Sequence, residues 1–259
     1  MRPDELKHLL DSVILIVRAA GELVMAVYRT DFEVRSKDDA SPVTEADARA
    51  EALIVPALKA LLPGVPVIAE EAVAAGDAVQ TGPRFWLVDP LDGTREFIGR
   101  NGEFTVNVAL VEAGRAVLGV VLAPAIDRLF AGAAGLGAFV EEAGARRPIA
   151  CRPPPAQGLT VVASRSHADP AALDAFLAGR HVAELRSAGS SLKLCLIAAG
   201  EADLYPRLGR TMEWDIAAGH AILAAAGGRI EDVHGSTLHY GKPGFENPHF
   251  VAMGRRSGR

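Results

Sequence analysis

Two aspartates follow an apolar, strand-like run near the middle of the first half of the chain. Residues 85–88 read Phe-Trp-Leu-Val, and Asp89 and Asp92 come next around a proline turn, followed by Gly93-Thr94. Paired carboxylates offer the oxygen ligands that a hard cation such as Mg²⁺ prefers. The Gly-Thr pair indicates a helix start, whose free N–H groups can face an anion such as phosphate. Two interpretations stay open here: a cation and phosphate site, or an Asx-type turn before a helix.

Three further acids stand at comparable places. Glu70 ends an apolar run, as Asp89 does, so the two strand ends can lie side by side. Asp215 stands directly before a predicted Ala-rich helix, and Asp47 lies in the first turn of another. Taken singly, each is explained better by helix capping or solvation. If they meet, their repulsion requires divalent cations, and two such ions about 3.5–4 Å apart can clamp a phosphoryl group and generate a nucleophilic water.

The composition is that of a soluble globular protein. The chain has 259 residues, 49% apolar and 23% charged, which is enough for one large or two smaller α/β domains. Its net charge of −5 argues against general nucleic-acid binding. Cys151 and Cys195 form no disulfide framework, and we expect buried thiols in a reducing cytoplasm. The seven histidines have no zinc-site spacing with these cysteines.

No signal peptide or transmembrane segment is predicted. The apolar stretch 9–20 carries Asp11 and Arg18, and its apolar residues recur with a helical period. We therefore predict an amphipathic helix over 3–28 that packs on the core. Attachment to a membrane surface is the disfavoured alternative, because no basic polar face accompanies the apolar one.

Strand patterns dominate up to residue 141, and strands alternate with helices beyond it. The first part is expected to form an antiparallel sheet with helices on one side, and the second a smaller α/β domain. The run Pro153-Pro154-Pro155 places the boundary between domains 1–152 and 153–259. Helices are predicted at 3–28, 45–62 (with Thr44 as N-cap), 170–177, 190–199 and 216–226. Strands are predicted at 32–36, 65–69, 85–88, 104–111, 116–122, 129–132, 138–141, 159–163, 182–186 and 203–206, with a loop at 72–83.

The chain resembles the magnesium-dependent, lithium-sensitive phosphatases of the inositol monophosphatase superfamily. Asp-Pro-Leu-Asp-Gly-Thr at 89–94 and Trp-Asp-Ile-Ala-Ala-Gly at 214–219 carry this resemblance, which extends from Lys37 to Pro248. It implies an α/β (α+β) fold, a layered αβαβα sandwich. Softer features favour the bacterial 3'(2'),5'-bisphosphate nucleotidase branch; they lie at 41–47, 95–98, 101–107, 164–167, 189–193 and 205–207.

The resemblance also implies a role for each matching residue. Asp47 and the Thr94 hydroxyl would orient and deprotonate the attacking water. The implied metal ligands are Glu70, Asp89, Leu91 through its carbonyl, Asp92 and Asp215; Glu70 is preferred to its neighbour Glu71. The implied substrate-binding residues are Glu70, Leu91, Asp92, Gly93, Thr94, His167, Ser190, Lys193, Arg207 and Asp215. A solvated surface charge is the alternative for Lys193 and Arg207, and Glu213 is a departure expected to add negative charge beside the site.

The activity implied is hydrolysis of the 3'-phosphate of adenosine 3',5'-bisphosphate to AMP and phosphate, with 3'-phosphoadenylyl sulfate as a further substrate, in sulfate assimilation. Two or more Mg²⁺ ions are expected, with Mn²⁺ as a substitute and Li⁺ as an inhibitor. The expected partner is a small phosphate ester, a nucleotide, with no nucleic acid. The protein is expected to be a cytoplasmic monomer or homodimer, which the family resemblance also allows to attach loosely to the cytoplasmic face of the inner membrane.

Two alternatives remain open at this point. The expected metal centre recognises only the phosphate monoester and not the rest of the substrate. Inositol-1-monophosphatase or fructose-1,6-bisphosphatase activity would therefore use the same motifs. A regulatory binding protein on a phosphatase scaffold, contacting RNA polymerase or RNA, is an alternative of another class, since fold does not fix function.

Overall fold

Two mixed sheets, a short two-stranded ribbon and seven helices make up the described part of the chain. A computed structural model describes residues 1–36, 42–76, 80–165 and 169–255. The helices are α1 (Pro3–Tyr28), α2 (Glu45–Leu61), α3 (Glu70–Ala74), α4 (Thr94–Ile98), α5 (Pro170–Leu177), α6 (Leu192–Ala198) and α7 (Glu213–Ala225). The strands are β1 (Val34–Ser36), β2 (Pro42–Thr44), β3 (Val67–Ala69), β4 (Arg84–Asp92), β5 (Thr105–Glu112), β6 (Arg115–Ala123), β7 (Arg128–Ala133), β8 (Gly137–Glu142), β9 (Ala145–Ile149), β10 (Leu159–Ser164), β11 (Val182–Ala188), β12 (Leu204–Arg207), β13 (Arg229–Asp232) and β14 (Phe250–Met253).

The seven-stranded sheet follows the chain, in the order β3-β4-β5-β6-β7-β8-β9. Its strands pair antiparallel except for β3 and β4, which run parallel with Ala69 opposite Val88. The five-stranded sheet has the order β11-β10-β12-β14-β13 and mixes parallel with antiparallel pairs. Glu70 follows directly on β3, and Asp89 lies in β4 directly after Val88, the residue that pairs with the last residue of β3. The two acids therefore lie side by side, as the sequence predicts.

Strand β4 shows why the first sheet carries helices on both faces. Successive side chains of a strand point to opposite faces, and all of 85–88 is apolar and buried. Phe85 and Leu87 join the buried cluster that contains α6, α7 and the second sheet, whereas Trp86 and Val88 join the cluster that contains α1 and α2. Continuous apolar sequence therefore marks a strand that is buried from both sides.

The layers follow from these contacts. Helices α1 and α2 cover one face of the first sheet, and α6 and α7 fill the space between the two sheets. Helix α5 covers the outer face of the second sheet through Phe176 and Leu177. The expected layered αβαβα sandwich is confirmed. The expectation of helices on only one side of the first sheet is wrong, because α7 contacts strands β4 to β8 on its other face.

Helix α7 approaches the first sheet closely at Gly119 in β6. A Cβ atom at this position would lie 2.1 Å from the carbonyl oxygen of Ala218. Only a residue without a side chain allows this packing. The contact fixes α7, and with it the residues of its first turn, against the first sheet.

Several element boundaries differ from the sequence prediction. Strand β4 continues through the proline to Asp92, with an irregular register after Asp89. Helix α7 begins at Glu213 instead of residue 216, so Asp215 lies inside its first turn and not before it. Helix α3 occupies 70–74, which includes the start of the loop predicted at 72–83. The sequence prediction also missed β9, β13 and β14.

Other expectations are confirmed or stay predictions. Helices α1 and α5 have the predicted boundaries, and Thr44 caps α2 through its side chain. Both cysteines are buried and free. Among the described residues, no helix combines the length and apolar character needed to cross a bilayer. The division at 152/153 falls between β9 and β10 and stays a prediction, and most of the predicted polar loop at 37–42 lies outside the described residues.

Candidate active site

Three carboxylates from three elements meet at the end of β4. Carboxylate oxygens of Glu70, Asp89 and Asp215 all lie within 4.8 Å of one another. The parallel pairing of β3 and β4 brings Glu70 beside Asp89, and the docking of α7 on the sheet brings its first turn to the same place. Acids that are 126 positions apart, counting from 89 to 215, thus form one cluster.

Burial and mutual repulsion oppose the charge of this cluster. Burial raises the pKa of Asp89 well above its ordinary value, and the charges of Glu70, Asp92 and Asp215 raise it further. Burial likewise raises the pKa of Asp215, with Asp92 and Glu70 adding to the shift. A bound cation would reverse these effects, because it favours the ionised carboxylates. The donor set, oxygen only, fits a hard divalent cation.

Asp92 lies at the same cleft but is partly compensated. Burial raises the pKa of Asp92 to about 6, while the charge of Lys193 and a hydrogen bond from the Ser191 N–H act in the opposite direction. That hydrogen bond is 2.6 Å long and ends on Oδ2. Lys193 and the Ser191 N–H thus offset part of the effect of burial on Asp92.

The three carboxylates of the cluster line a cleft of about 610 Å³. All implied metal-binding and substrate-binding residues that the structure describes line this cleft. They are Glu70, Asp89, Leu91, Asp92, Gly93, Thr94, Ser190, Lys193, Arg207 and Asp215. His167 lies outside the described residues. The structure therefore gathers these residues in one cleft, and their individual roles stay predictions.

Gly93 and Thr94 form the turn into α4. Gly93 has a left-handed backbone with φ of 84°, which glycine adopts without strain. The Thr94 hydroxyl donates to the Leu91 carbonyl at 3.3 Å. The N–H groups of the first turn of a helix lack intrahelical acceptors. Because Gly93 and Thr94 line the cleft, this turn can bind a phosphate there.

Asp47 lies in the first turn of α2 and does not line the cleft. Its Oδ2 accepts hydrogen bonds from the N–H and the hydroxyl of Thr44, both at 2.8 Å. Burial nevertheless raises the pKa of Asp47 to about 7. Among the described residues, Asp47 shares no hydrogen bond with Thr94, so their joint action on a water stays a prediction.

Lys193 and Arg207 are buried cations at the cleft, so a solvated surface charge is the wrong interpretation for both; they are 4% and 8% exposed. The Lys193 ammonium donates to the carbonyls of Ser190 at 2.6 Å and Ala188 at 3.2 Å. Burial lowers the pKa of Lys193 to about 8. Arg207 donates to the Arg210 carbonyl at 2.7 Å, and its buried Nε has no hydrogen-bond partner among the described residues.

Glu213 does not add charge to the site as expected. Its fully buried carboxylate accepts from the Gly241 N–H at 2.7 Å and from the Lys242 ammonium at 2.5 Å. Lys242 neutralises it, and Glu213 is absent from the lining of the cleft. This ion pair anchors the start of α7 to the loop at 241–242.

The sequence prediction missed three residues that support the acids. Glu51 on α2 accepts the N–H groups of Glu71 at 2.9 Å and Ala72 at 3.0 Å. Asn107 donates to Asp92 at 3.3 Å, and Ser191 donates its N–H to the same oxygen. The signal for Asn107 is present in the sequence: a polar side chain inside the apolar strand β5 is buried only with a partner.

The comparisons with known proteins agree with this geometry. A model described as the inositol monophosphatase family matches residues 5–255. The 3'(2'),5'-bisphosphate nucleotidase CysQ of Escherichia coli strain K12 is 48% identical over 245 residues, which cover 93% of this chain and 98% of that protein. CysQ of Buchnera aphidicola, with the same description, is 39% identical over 90% of this chain and 88% of its own length.

Solved structures have the same fold. The crystal structure of CysQ from Bacteroides thetaiotaomicron, described as a bacterial member of the inositol monophosphatase family, superposes with a TM-score of 0.80 at 36% identity. The match covers 96% of this chain and 98% of that one. An inositol monophosphatase from Thermotoga maritima also gives a TM-score of 0.80, at 29% identity, covering 95% of this chain and 92% of that one. Since the family match spans nearly its whole length, the protein belongs to the inositol monophosphatase family.

Proposed function

We propose that the protein is a Mg²⁺-dependent phosphatase that removes the 3'-phosphate of adenosine 3',5'-bisphosphate, giving AMP and phosphate. 3'-Phosphoadenylyl sulfate is the proposed second substrate, and sulfate assimilation the proposed context. Bacterial relatives named as 3'(2'),5'-bisphosphate nucleotidases support this substrate. The observation that carries the proposal is one cleft that is lined by both a carboxylate cluster and two buried cations.

The acids fit a divalent metal site. Glu70, Asp89, Asp92, Asp215 and the Leu91 carbonyl would hold the ions, of which two or more are proposed, with Mn²⁺ as a substitute and Li⁺ as an inhibitor. Such ions neutralise phosphate oxygens and lower the pKa of a bound water.

The remaining chemistry belongs to the side chains and backbone around Gly93. Its N–H group and that of Thr94 would bind the scissile phosphate and hold it in place for attack. The Thr94 hydroxyl would orient the water, and Asp47 would accept the proton through that hydroxyl. Formation of this relay requires the hydroxyl to turn away from the Leu91 carbonyl.

A second phosphate explains the buried cations. Arg207 donates to a backbone carbonyl and has a buried Nε without a hydrogen-bond partner among the described residues, and the charge of Asp92 offsets only part of the burial of Lys193. Burial of an incompletely compensated charge is costly. An anionic substrate group would compensate them. A bisphosphate carries one phosphate for the proposed metal site and one for these cations, whereas inositol-1-phosphate carries a single phosphate.

The test compares adenosine 3',5'-bisphosphate, inositol-1-phosphate and fructose-1,6-bisphosphate by phosphate release with Mg²⁺, with and without Li⁺. We expect the highest kcat/KM for the nucleotide. Arg207→Met should lower that value by at least about thirtyfold, equivalent to about 2 kcal/mol for an unpaired buried charge, and change inositol phosphate hydrolysis little. Arg49→Met, at an exposed arginine of α2, is the control.

Failure to hydrolyse the nucleotide at any Mg²⁺ concentration would reject the proposal. Hydrolysis of inositol phosphate or the sugar bisphosphate in its place would keep the chemistry and change the substrate. Negligible hydrolysis of all three, with retained binding to RNA polymerase or RNA by Asp92→Asn, would favour a regulatory protein.

A cytoplasmic location is also proposed, supported by two buried thiols that are free. Sedimentation would decide between the proposed monomer and homodimer.

A further inference from the structure

Asp92 accepts hydrogen bonds from two groups that lie far apart in the chain, one in a strand and one at a helix start. Its Oδ2 accepts the Ser191 N–H at 2.6 Å and the Asn107 side-chain amide at 3.3 Å. Asn107 lies in β5 of the first sheet, and Ser191 precedes α6 in the second half of the chain. Both hydrogen bonds end on one carboxylate oxygen, and Oδ1 accepts none from the described residues.

A buried chain of hydroxyl and amide groups fixes this arrangement. The Ser191 hydroxyl donates to the Asn107 side-chain carbonyl at 2.8 Å. Because that hydroxyl has a single proton, the hydroxyl of Thr105, 3.0 Å away, must be its donor. Ser191, Asn107 and Thr105 are 4%, 1% and 0% exposed, so water does not compete for these groups. With its carbonyl bound to Ser191, the Asn107 amide can only present its NH₂ group to Asp92.

The segment 188–191 is tightly anchored where it meets the first sheet. The Lys193 ammonium binds two of its carbonyls, those of Ala188 and Ser190. The Gly189 N–H donates to the Glu103 carboxylate at 2.8 Å. A Cβ atom on Gly189 would lie 2.7 Å from the Glu103 carbonyl oxygen, so any side chain here would push the segment away. Its position next to Asp92 is therefore set by several independent contacts.

We propose that Ser191 and Asn107 are positioning residues for Asp92: together they bind one carboxylate oxygen and orient the other towards the metal. Thr105 supports them by fixing the Ser191 hydroxyl. The segment that carries Ser190, an implied substrate contact, thereby also sets a metal ligand. The inference rests on the proposed function in one respect, namely that Asp92 is a metal ligand.

The test measures metal binding to the whole protein without substrate, by calorimetric titration with Mg²⁺. Ser191→Ala removes the hydroxyl that fixes Asn107 and should weaken Mg²⁺ binding by about tenfold, as expected for a group that orients a metal ligand. Ser191→Thr keeps a hydroxyl and should restore most of the affinity. Ser236→Ala, at an exposed serine that does not line the cleft, should bind as the wild type does.

Gly189→Ala provides a second, independent test in case Ser191→Ala fails to fold. Gly189→Ala keeps every polar group of the chain but displaces the 188–191 segment, so it should also weaken Mg²⁺ binding. Circular dichroism and thermal melting in EDTA monitor the fold of each variant. If Ser191 and Gly189 had only a structural role, their variants would change the melting temperature in EDTA and leave the Mg²⁺ affinity of the folded protein unchanged.

The outcomes separate this inference from the proposed function. Unchanged Mg²⁺ affinity in folded Ser191→Ala and Gly189→Ala, or a wild type that binds no Mg²⁺, overturns the inference. A wild type that binds Mg²⁺ but does not hydrolyse the bisphosphate overturns the proposed function, while weakened binding by both variants still supports the positioning role.

Discussion

Asp89 is a buried carboxylate placed where its charge is opposed by burial and by three neighbouring acids. Such a residue does not stabilise a fold that lacks a cation. A bound divalent cation would offset this crowding, so the proposed role of Asp89 as a metal ligand accounts for its position in β4. At the scale of single residues, the site is thus a group of side chains whose common requirement is positive charge.

Replacement of Asp89 should separate function from stability. In Asp89→Asn, we expect phosphate release to fall to background because a proposed metal ligand is lost. The melting temperature in EDTA should stay equal or rise, because one of the repelling charges is removed. Asp11→Asn, at an exposed aspartate of α1, should match the wild type in both assays. A variant that keeps wild-type turnover would contradict the ligand assignment.

The raised pKa of Asp47 predicts that the stability of the metal-free protein depends on pH. Burial raises its pKa in the folded state from an ordinary 3.8 to about 7. Between these values the folded state binds more protons than the unfolded state, so the contribution of Asp47 to stability falls as the pH rises from about 4 to 7 and is constant above.

The measurement is urea denaturation in EDTA from pH 5 to 8, with Asp47→Asn as the comparison. The wild type should lose stability relative to the variant up to about pH 7, and the difference should then level off. Parallel curves for the two proteins would show that the carboxyl group of Asp47 titrates in the ordinary range.

Helix α3 shows how an element can depend on one distant residue. It has five residues, and the Glu51 carboxylate accepts two N–H groups of its first turn. So short a helix does not form by itself in water. Glu51 therefore stabilises the helix that places Glu70 in the carboxylate cluster.

Substitution of Glu51 should affect both stability and metal binding. Glu51→Gln replaces one accepting oxygen by an NH₂ group, so we expect a loss of about 0.5–2 kcal/mol in the free energy of unfolding, as for a lost helix cap. Mg²⁺ affinity should fall as well, because Glu70 is less well fixed. Glu45→Gln, at an exposed position in the first turn of α2, is the control. Urea denaturation and calorimetry measure the two effects; wild-type values for both would refute this role.

The sequence predicts well those helices and strands whose own residues show a clear pattern of apolar positions. Helix α1 has ten buried residues at helical spacing, and β4, β5 and β6 each contain at least four consecutive apolar residues. Helix α3 and strand β9 lack such patterns: α3 depends on Glu51, which lies 20 positions away in the chain, and β9 carries two exposed arginines. Tertiary contacts decide these elements, and local propensity does not reveal them.

The candidate site shows the same division. The motif around Asp89 and Asp92 predicts the acids, but no local pattern predicts that α7 places Asp215 within reach of Glu70. Tertiary contacts also decide towards which partner a buried charged side chain points. Glu213 turns to Lys242 instead of the cleft, which the sequence alone could not indicate.

At the scale of the whole molecule, the site depends on the docking of α7 between the two sheets. Gly119 is the point of closest approach, where the Cβ of an alanine would lie 2.1 Å from the Ala218 carbonyl oxygen. Gly119→Ala should therefore lower the free energy of unfolding by about 3 kcal/mol, the upper range for overpacking, and weaken Mg²⁺ binding by moving Asp215.

Gly82→Ala is the matched control, because its Cβ would meet the nearest atom only at 3.5 Å, an ordinary contact. Urea denaturation should show wild-type stability for this control. Equal stability of the two variants would contradict the tight docking of α7.

The central claim is that Glu70, Asp89 and Asp215 bind divalent ions together. Anomalous diffraction from crystals soaked in Mn²⁺ tests it most directly, since Mn²⁺ takes the same oxygen ligands as Mg²⁺. We predict an anomalous peak within about 2.5 Å of a carboxylate oxygen of each of the three residues, at the end of β4. A saturating soak that leaves this position without a peak would contradict the claim.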